Sequence, residues 1–506
     1  MSTGDTQTAP APGLGTRSAR GLVYVFASST AAKLIGIVTQ IILLYLLGRQ
    51  DFGIVSLAYA IAMFIQVIEQ AGIGDVLVRR RRFRFWAIPG FWFALALGVV
   101  SCALILASAP IAAAVFGKSP AVSSELFWVL VVLAPSSLAN AASVVPRAKL
   151  FRELRFRAVA GVNLVNFILQ KILTVALAAL GFGPFSFVVP IPIAGVVIAV
   201  FLWWWVRPPW APRLELRRWR YLVSDSTRLL AADFGRVLLD QSDYALLGLF
   251  RTVAEVGVYW VGFLFSIQMV QLLMVNLQNI LFPAFTQLND DPQRQYRGFL
   301  NAQRILAMLG VSGCLLQAAA AEPFARLMFP GEWDSSIIVM QILSLGMATR
   351  MIAGASFALL KSQGRFTMIA INRWSFVAVQ VAALTTILAL GGGVAHVAVA
   401  VSLIASLIGP VTFYSAVRPY GAGWAAVAQT LARPVICGVL SVGVAWLAAQ
   451  GMDQAGYGYA AQLVETVVVA VALNVVLARL WMRPVWDDLW LRVRRLLPQR
   501  GVAGGA

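Results

Sequence analysis

Asp233, Arg236, Asp240 and Asp243 follow one another at offsets of three, four and three, the spacing that aligns side chains on one face of a helix. Their surroundings are apolar, and so are those of five other polar sets. Lys33 and Gln40 are seven residues apart, and Gln66, Glu69 and Gln70 follow the pattern i, i+3, i+4. Asn163, Asn166, Gln170, Lys171 and Thr174 line one side of a further run; Gln268, Gln271, Gln278 and Asn279 mark another, and Arg350 stands in the last. Groups of this kind are costly in hydrocarbon and face a protein interior or a wet cavity. Their positions therefore map where a polar ligand or an ion could be handled. Cations could receive an anion, amides could bond a hydroxyl-rich ligand, and carboxylates could exchange a proton or a cation.

Ion pairing is the competing role for each charge. Arg236 has Asp233 and Asp240 one turn to either side, which makes a structural pair with these carboxylates the expectation there. Lys33 and Lys171 have no carboxylate within their own helical turns, although Glu69 could reach Lys33 from the second run. Arg350 could pair with an aspartate of the 233–243 stripe or receive an anion. Asp240 and Asp243 are a turn apart, close enough for one to carry a proton. His396 follows Gly391, Gly392 and Gly393 at a loop edge and reads as an interface residue.

The elements that must position these groups are apolar stretches of about twenty residues, the length of helix that crosses a bilayer core about 30 Å thick. Fourteen can be counted, separated by short connections. Nearly all the Arg and Lys fall in the tails and in every second connection: Arg17 and Arg20, Arg79 to Arg82 with Arg84, Arg147 to Arg157, Arg207 to Arg228, Arg294 to Arg304, Lys361 to Arg373, Arg418, Arg433, and a C-terminal group from Arg479 to Arg500. The opposite connections hold Arg49, Lys118, Arg251 and Arg326. This asymmetry predicts fourteen spans in a multi-pass protein with both termini cytoplasmic.

Composition agrees. The 506-residue chain is 60% hydrophobic, with a mean hydropathy of +0.80, and its net charge of +19 comes from loops that flank spans. The arginines form no single basic face, which argues against a nucleic-acid partner. Cys102, Cys314 and Cys437 sit in apolar runs and suggest neither a disulfide framework nor a metal site. No Walker A loop, paired-Cys motif or nucleophile elbow occurs, so the expectation is a non-enzyme with no cofactor, driven by an H+ or Na+ gradient, its substrate gradient or a partner.

The expected organisation is all-α. Residues 1–21 form a disordered tail, 22–206 a six-span N-lobe, 207–228 a basic linker, 229–416 a six-span C-lobe, 433–481 an appended pair and 482–506 an amphipathic tail. The longest outer loop runs from about Ala321 to Ser336. An echo supports two lobes: Leu46-Leu47-Gly48 with Phe52-Gly53-Ile54-Val55 recurs as Leu246-Leu247-Gly248 with Val256-Gly257-Val258-Tyr259. Paired lobes are a common transporter plan, and two in one chain fit a functional monomer.

Several stretches resemble the Wzx-type polysaccharide flippases of the multidrug/oligosaccharidyl-lipid/polysaccharide exporter superfamily, in particular the colanic acid, succinoglycan and xanthan export proteins. They are Lys33 to Gln40, Asp51 to Ala58, Gln70-Ala71-Gly72-Ile73-Gly74, Asp243 to Gly248, Leu281-Phe282-Pro283-Ala284-Phe285 and Phe329-Pro330-Gly331-Glu332-Trp333, within roughly residues 20 to 420. The resemblance implies a two-lobed bundle in the bacterial inner membrane. Its cavity would accept an undecaprenyl-diphosphate oligosaccharide and reopen to the periplasm, and polysaccharide polymerase and co-polymerase proteins would be partners beside membrane lipids. On this chain the diphosphate would fall to Lys33, Lys171, Arg236 and Arg350. The glycan would fall to Gln40, Gln66, Asn163, Asn166, Gln170, Gln271 and Gln278, with Glu69, Asp233, Asp240 and Asp243 left for ion coupling or pairing. Two alternatives remain open: an ion-coupled drug/cation antiporter of the same superfamily, for which twelve spans would be expected, and a membrane polymerase or glycosyltransferase, which would need a larger outer loop.

Overall fold

The computed structural model describes residues 14–69, 73–79, 83–209, 211, 216–483 and 487. The described chain is helical, without strands, in the order α1 (Leu14–Leu46), α2 (Arg49–Gln66), α3 (Ile73–Arg79), α4 (Phe83–Phe116), α5 (Pro120–Leu133), α6 (Ser136–Arg152), α7 (Phe156–Ala179), α8 (Phe185–Val188) and α9 (Pro190–Val206). It continues with α10 (Leu216–Phe250), α11 (Val253–Ser266), α12 (Gln268–Thr286), α13 (Pro292–Met328), α14 (Ser335–Arg350), α15 (Ala353–Ser362), α16 (Phe366–Ala389), α17 (Val394–Val417), α18 (Trp424–Gln454) and α19 (Tyr459–Trp481). Five pairs are separated by short breaks: α2 with α3, α5 with α6, α8 with α9, α11 with α12, and α14 with α15. Joined across them, the helices make fourteen segments. Among the described residues eleven are long and apolar enough to cross a membrane. The other three are α2 with α3, α10, and the α11–α12 pair, of which α11 is a shorter apolar helix.

Helix extends further than the hydropathy alone implies. α1 starts at Leu14 and α10 at Leu216, so helix enters segments expected as a tail and a linker. Ala, Leu and Arg there favour helix, and a spanning segment already supplies the nucleus. The expected outer loop from Ala321 to Ser336 is also mostly helical, with one short 3₁₀ turn at Gly331–Trp333. Residues 1–13, 70–72 and 80–82, and most of the C-terminal amphipathic stretch, lie outside the described residues.

Contacts divide the chain into two compact units, one of residues 1–40, 65–109 and 128–230, the other of residues 41–64, 110–127 and 231–506. These boundaries differ from the lobes expected at 22–206 and 229–416. In the first unit, α6 packs on α9 with Gly195 against Ala139, and Gly98 meets the Ser137 carbonyl. Its apolar clusters gather Leu77, Ala87, Val145 and Ala148, and then Leu150, Ile198 and Leu202. In the second unit the core is built from Phe299, Met347, Met351, Leu359 and Phe413 on α13, α14, α15 and α17. α18 and α19 pack on each other and on α13, where Asn474 donates to Ser312 Oγ at 2.7 Å.

The echo seen in the sequence has a structural counterpart inside the second unit. A methyl group at Gly53 would lie 1.9 Å from the Val253 carbonyl oxygen, and one at Gly257 would lie 2.0 Å from the Arg49 carbonyl oxygen. Each glycine of the echo thus meets the residue four before the other, so α2 and α11 cross reciprocally at a spacing only glycine permits. Phe52 is wedged beside Trp260 and Trp333, with ring centroids 5.6 and 4.9 Å away. Trp333 is fully buried and its indole donates to the Leu44 carbonyl at 3.0 Å. Three of the four cations on this Arg-poor end serve as staples. Lys118 Nζ donates to the Arg251 carbonyl at 2.6 Å, Arg251 donates to the Gly391 and Gly392 carbonyls, and Arg326 pairs with Asp334.

A second repeat lies in the Arg-rich turns. Arg155 (φ −81°, ψ 54°) precedes α7 and Arg365 (φ −82°, ψ 51°) precedes α16, both helices of 24 residues. α7 is followed by Leu180 and Gly181 at φ +80°, and α16 by Leu390 and Gly391 at φ +86°, the same 210 residues apart as the two arginines. One position breaks the match: Gly364 sits at φ +69°, whereas its counterpart Leu154 holds φ +55° with a side chain attached.

Candidate functional site

The broken helices place the polar side chains. Pro135 lacks the N–H that would carry α5 into α6, and α2 ends in 3₁₀-type bonds from Ile68 to Ile65 and from Glu69 to Gln66. In the second unit α11 gives way to α12 at Ile267, and α14 to α15 at Met351 and Ile352. A break frees backbone carbonyls that hydrocarbon would leave unsatisfied, and at α11–α12 side-chain amides bond carbonyls beside it. Gln268 Nε2 donates to the Leu264 carbonyl at 2.6 Å, and Gln317 Nε2 to the Phe265 carbonyl at 2.6 Å. In the first unit Gln66 Nε2 reaches Ser136 Oγ at 3.3 Å, joining the two breaks.

Beside that junction lies a cavity of about 580 Å³ whose polar lining is Gln66, Glu69, Asn140 and Arg147. Glu69 stands beside Ser101 and Ser137, with Oε1 shielded from solvent. Arg147 NH1 donates to Asn163 Oδ1 at 2.7 Å, which ties α6 to α7. The cavity thus holds a guanidinium, a carboxylate and amides, and it brings together Gln66 and Glu69, with Asn163 one bond behind. Lys33 and Lys171 do not line it. They stand on α1 and α7 as like-charged neighbours, with Lys171 Nζ 5.4 Å from the Phe167 ring centre. The pair considered between Lys33 and Glu69 does not form among the described residues, because the break after Gln66 turns Glu69 toward the two serines. Gln170 and Asn166 bond each other at 3.5 Å along α7, and Gln40 is half-buried on α1.

The second unit has a cavity of about 310 Å³ with Arg236, Asp240, Gln271, Arg350, Lys361 and Arg373 in its wall. Arg350 NH2 meets Asp240 Oδ1 at 2.5 Å. Arg236 lies between Asp233 and Asp240, 3.7 Å from each, and Asp233 also faces Arg373 at 3.9 Å. Three arginines therefore share two carboxylates, and with Lys361 also in the wall the cavity keeps an excess of positive charge. Asp243 is apart from this lattice: it is 2% exposed, accepts from the Tyr259 hydroxyl at 2.7 Å and from the Tyr244 N–H at 3.0 Å. The two aspartates read together in the sequence thus divide into one that fixes arginines and one held by tyrosines. The side chain of Gln278 lies outside the described residues.

Arg147, Arg373 and Lys361 were counted in the sequence as charges of the Arg-rich loops, yet they face cavities. The helices explain the difference, since α6 runs to Arg152 and α16 starts at Phe366, so Arg147 and Arg373 lie one to two turns inside. The available signal was the offset of 210 residues that aligns Arg373 with Asn163, the partner of Arg147.

Fourteen helical segments, with the second, fourth, eighth and tenth broken beside polar cavities, define a multi-pass membrane transporter fold. Solved structures share it. The lipid II flippase MurJ in an inward closed conformation superposes with a TM-score of 0.69 at 10% identity, covering 90% of this chain and 99% of that one. A multidrug resistance MATE family transporter of the MOP superfamily gives 0.59 at 16% identity, over 79% and 96% of the two chains. The chain belongs to the polysaccharide biosynthesis protein family, whose model matches residues 42–338. Among curated relatives, the succinoglycan biosynthesis transport protein ExoT of Rhizobium meliloti (strain 1021) is 24% identical over 329 residues, 64% of this chain and 65% of that protein. The teichuronic acid biosynthesis protein TuaB of Bacillus subtilis (strain 168) is 20% identical over 312 residues, 60% and 62%. The chain thus spans a little under two thirds of the length of each of these two relatives.

Proposed function

We propose that this protein moves a polyprenyl-diphosphate-linked oligosaccharide across the bacterial inner membrane, from the cytoplasmic to the periplasmic leaflet, by alternating access. The observation that carries this reading is the second unit's cavity, where Lys361 and three arginines that share two carboxylates stand at a helix break. Its surplus positive charge suits a diphosphate, and Gln271 and Asn372 in the same wall suit hydroxyls. The first unit's cavity adds Arg147 with Gln66 and Asn140. Family membership, the succinoglycan transport role of ExoT and the lipid II flippase role of MurJ support the class of cargo. The Arg-rich end is the cytoplasmic one on the positive-inside rule, with both termini there. Lys33 and Lys171 form a separate cationic pair that the carrier would meet on α1 and α7. Asp243, enclosed by tyrosines, is the group assigned to H+ or Na+ coupling; polymerase and co-polymerase proteins are the expected partners of a functional monomer.

The test is leaflet-resolved. Deleting the gene should strand lipid-linked repeat units on the cytoplasmic leaflet, and Arg373→Gln or Arg350→Gln at normal expression should reproduce part of that accumulation. Deletion without stranded units would remove the reading. Replacing Asp243 by Asn should uncouple transport from the ion gradient; transport that still follows a proton or sodium gradient would remove the coupling role.

A further inference from the structure

The first unit holds a second, larger cavity that the transport reading does not use. It measures about 1000 Å³ and lies at the Arg-rich end, walled by Phe83, Arg84 and Phe85 at the start of α4, by Lys149, Arg152 and Glu153 at the end of α6, and by Arg207 and Pro209 after α9. Four cations face one carboxylate across it, and Glu153 already has Arg155 at 3.9 Å. Lys149 Nζ donates to the carbonyls of Val206 and Arg207 at 2.8 and 3.3 Å, bonds that fix its position without cancelling its charge. The rim is basic and aromatic in alternation: Arg218 lies 3.5 Å from the Phe85 ring centre, Arg152 5.6 Å from Phe83 and Arg155 5.0 Å from Trp205.

Two further observations give the cavity its depth and its purpose. Trp204 and Trp205 turn outward beside it, Trp204 at 68% exposure, as side chains at the headgroup level of a bilayer do. The two non-glycine residues with positive φ among the described residues, Leu154 at +55° and Arg207 at +46°, both flank this cavity. The C-terminal repeat fills the position of Leu154 with Gly364, so the strain belongs to this copy of the turn. Strained backbone concentrates where a ligand site dictates geometry. We infer that this cavity is a binding site for the phosphate-bearing headgroup of an anionic membrane phospholipid, held by Arg84, Lys149, Arg152 and Arg207. Basic pockets between spans at headgroup depth take such lipids, and the outward tryptophans leave the acyl chains in the bilayer.

The experiment titrates the purified full chain in detergent with dioleoyl phosphatidylglycerol or dioleoyl phosphatidylcholine and counts bound lipid by native mass spectrometry. Phosphatidylglycerol should be retained preferentially, and Arg84→Gln and Arg152→Gln should each weaken its retention about fivefold, the share of one cation near a charged surface. Glu153→Gln should tighten retention, a gain that a misfolded variant would not produce. Arg433→Gln, a cation that does not line the cavity, should change nothing. Equal retention of the two lipids, an effect of Arg433→Gln as large as that of Arg84→Gln, no gain with Glu153→Gln, or complete displacement of phosphatidylglycerol by millimolar inorganic phosphate would each overturn the assignment.

Discussion

Removing the carboxylate of Asp240 should destabilise the protein far more than removing that of Asp233, although both belong to one stripe on α10. Asp240 is 24% exposed and faces Arg350, 17% exposed, at 2.5 Å, with Arg236 as a second partner at 3.7 Å. Breaking a buried pair by deleting one member costs about 3 to 5 kcal/mol; the residual exposure of this pair brings the expectation for Asp240→Asn to about 2 to 3 kcal/mol. Asp233 is 37% exposed, and its partners Arg236 and Arg373 lie 3.7 and 3.9 Å away. For so open a pair the expectation for Asp233→Asn is under about 1 kcal/mol. A double-mutant cycle of Asp240→Asn with Arg350→Gln, followed by reversible unfolding in bicelles, should give a coupling of about 2 kcal/mol, since the double variant removes both charges at once. Equal losses for the two aspartates, or a coupling below about 0.5 kcal/mol, would refute the view that Asp240 holds Arg350 in the cavity wall.

Three other outcomes are expected. Gly53→Ala and Gly257→Ala should each cost about 2 to 3 kcal/mol by overpacking, read as a lowered midpoint in thermal unfolding, while Gly74→Ala, which meets nothing within 4 Å, should stay near wild type. Trp333→Phe should lose about 1 kcal/mol with its bond to the Leu44 carbonyl, measured the same way. Leu154→Gly should raise stability by about 1 kcal/mol through relief of the left-handed conformation, and Gly364→Leu should lower it by a similar amount.

Most of the fourteen segments were legible because a bilayer imposes length and hydropathy on a span, and α4, α13 and α18 meet that demand without ambiguity. Arg236 between its aspartates was also legible, since i, i+3 and i+4 neighbours are fixed by the helix itself. The breaks were not. Pro135 marks one, but Ile267, Met351 and Ile352 look like any apolar run, and the bond that Gln317 makes to the Phe265 carbonyl beside Ile267 comes from another helix, out of reach of local sequence. Without the breaks, Glu69 is placed with Lys33 when it turns to Ser101 and Ser137, and Arg147 and Arg373 are assigned to loops when they face cavities. The glycine echo was visible, while its meaning, a reciprocal crossing of α2 and α11, required the distances.

The most direct measurement of the central claim compares cavity and surface cations in one assay. In a strain lacking the chromosomal copy, Arg147→Gln, Arg350→Gln and Arg373→Gln, expressed at wild-type level, should leave lipid-linked repeat units on the inner face of the membrane, whereas Arg326→Gln, paired at the opposite end with Asp334, should restore export. Full export by all three cavity variants would contradict the claim that cationic pockets at the helix breaks receive the diphosphate.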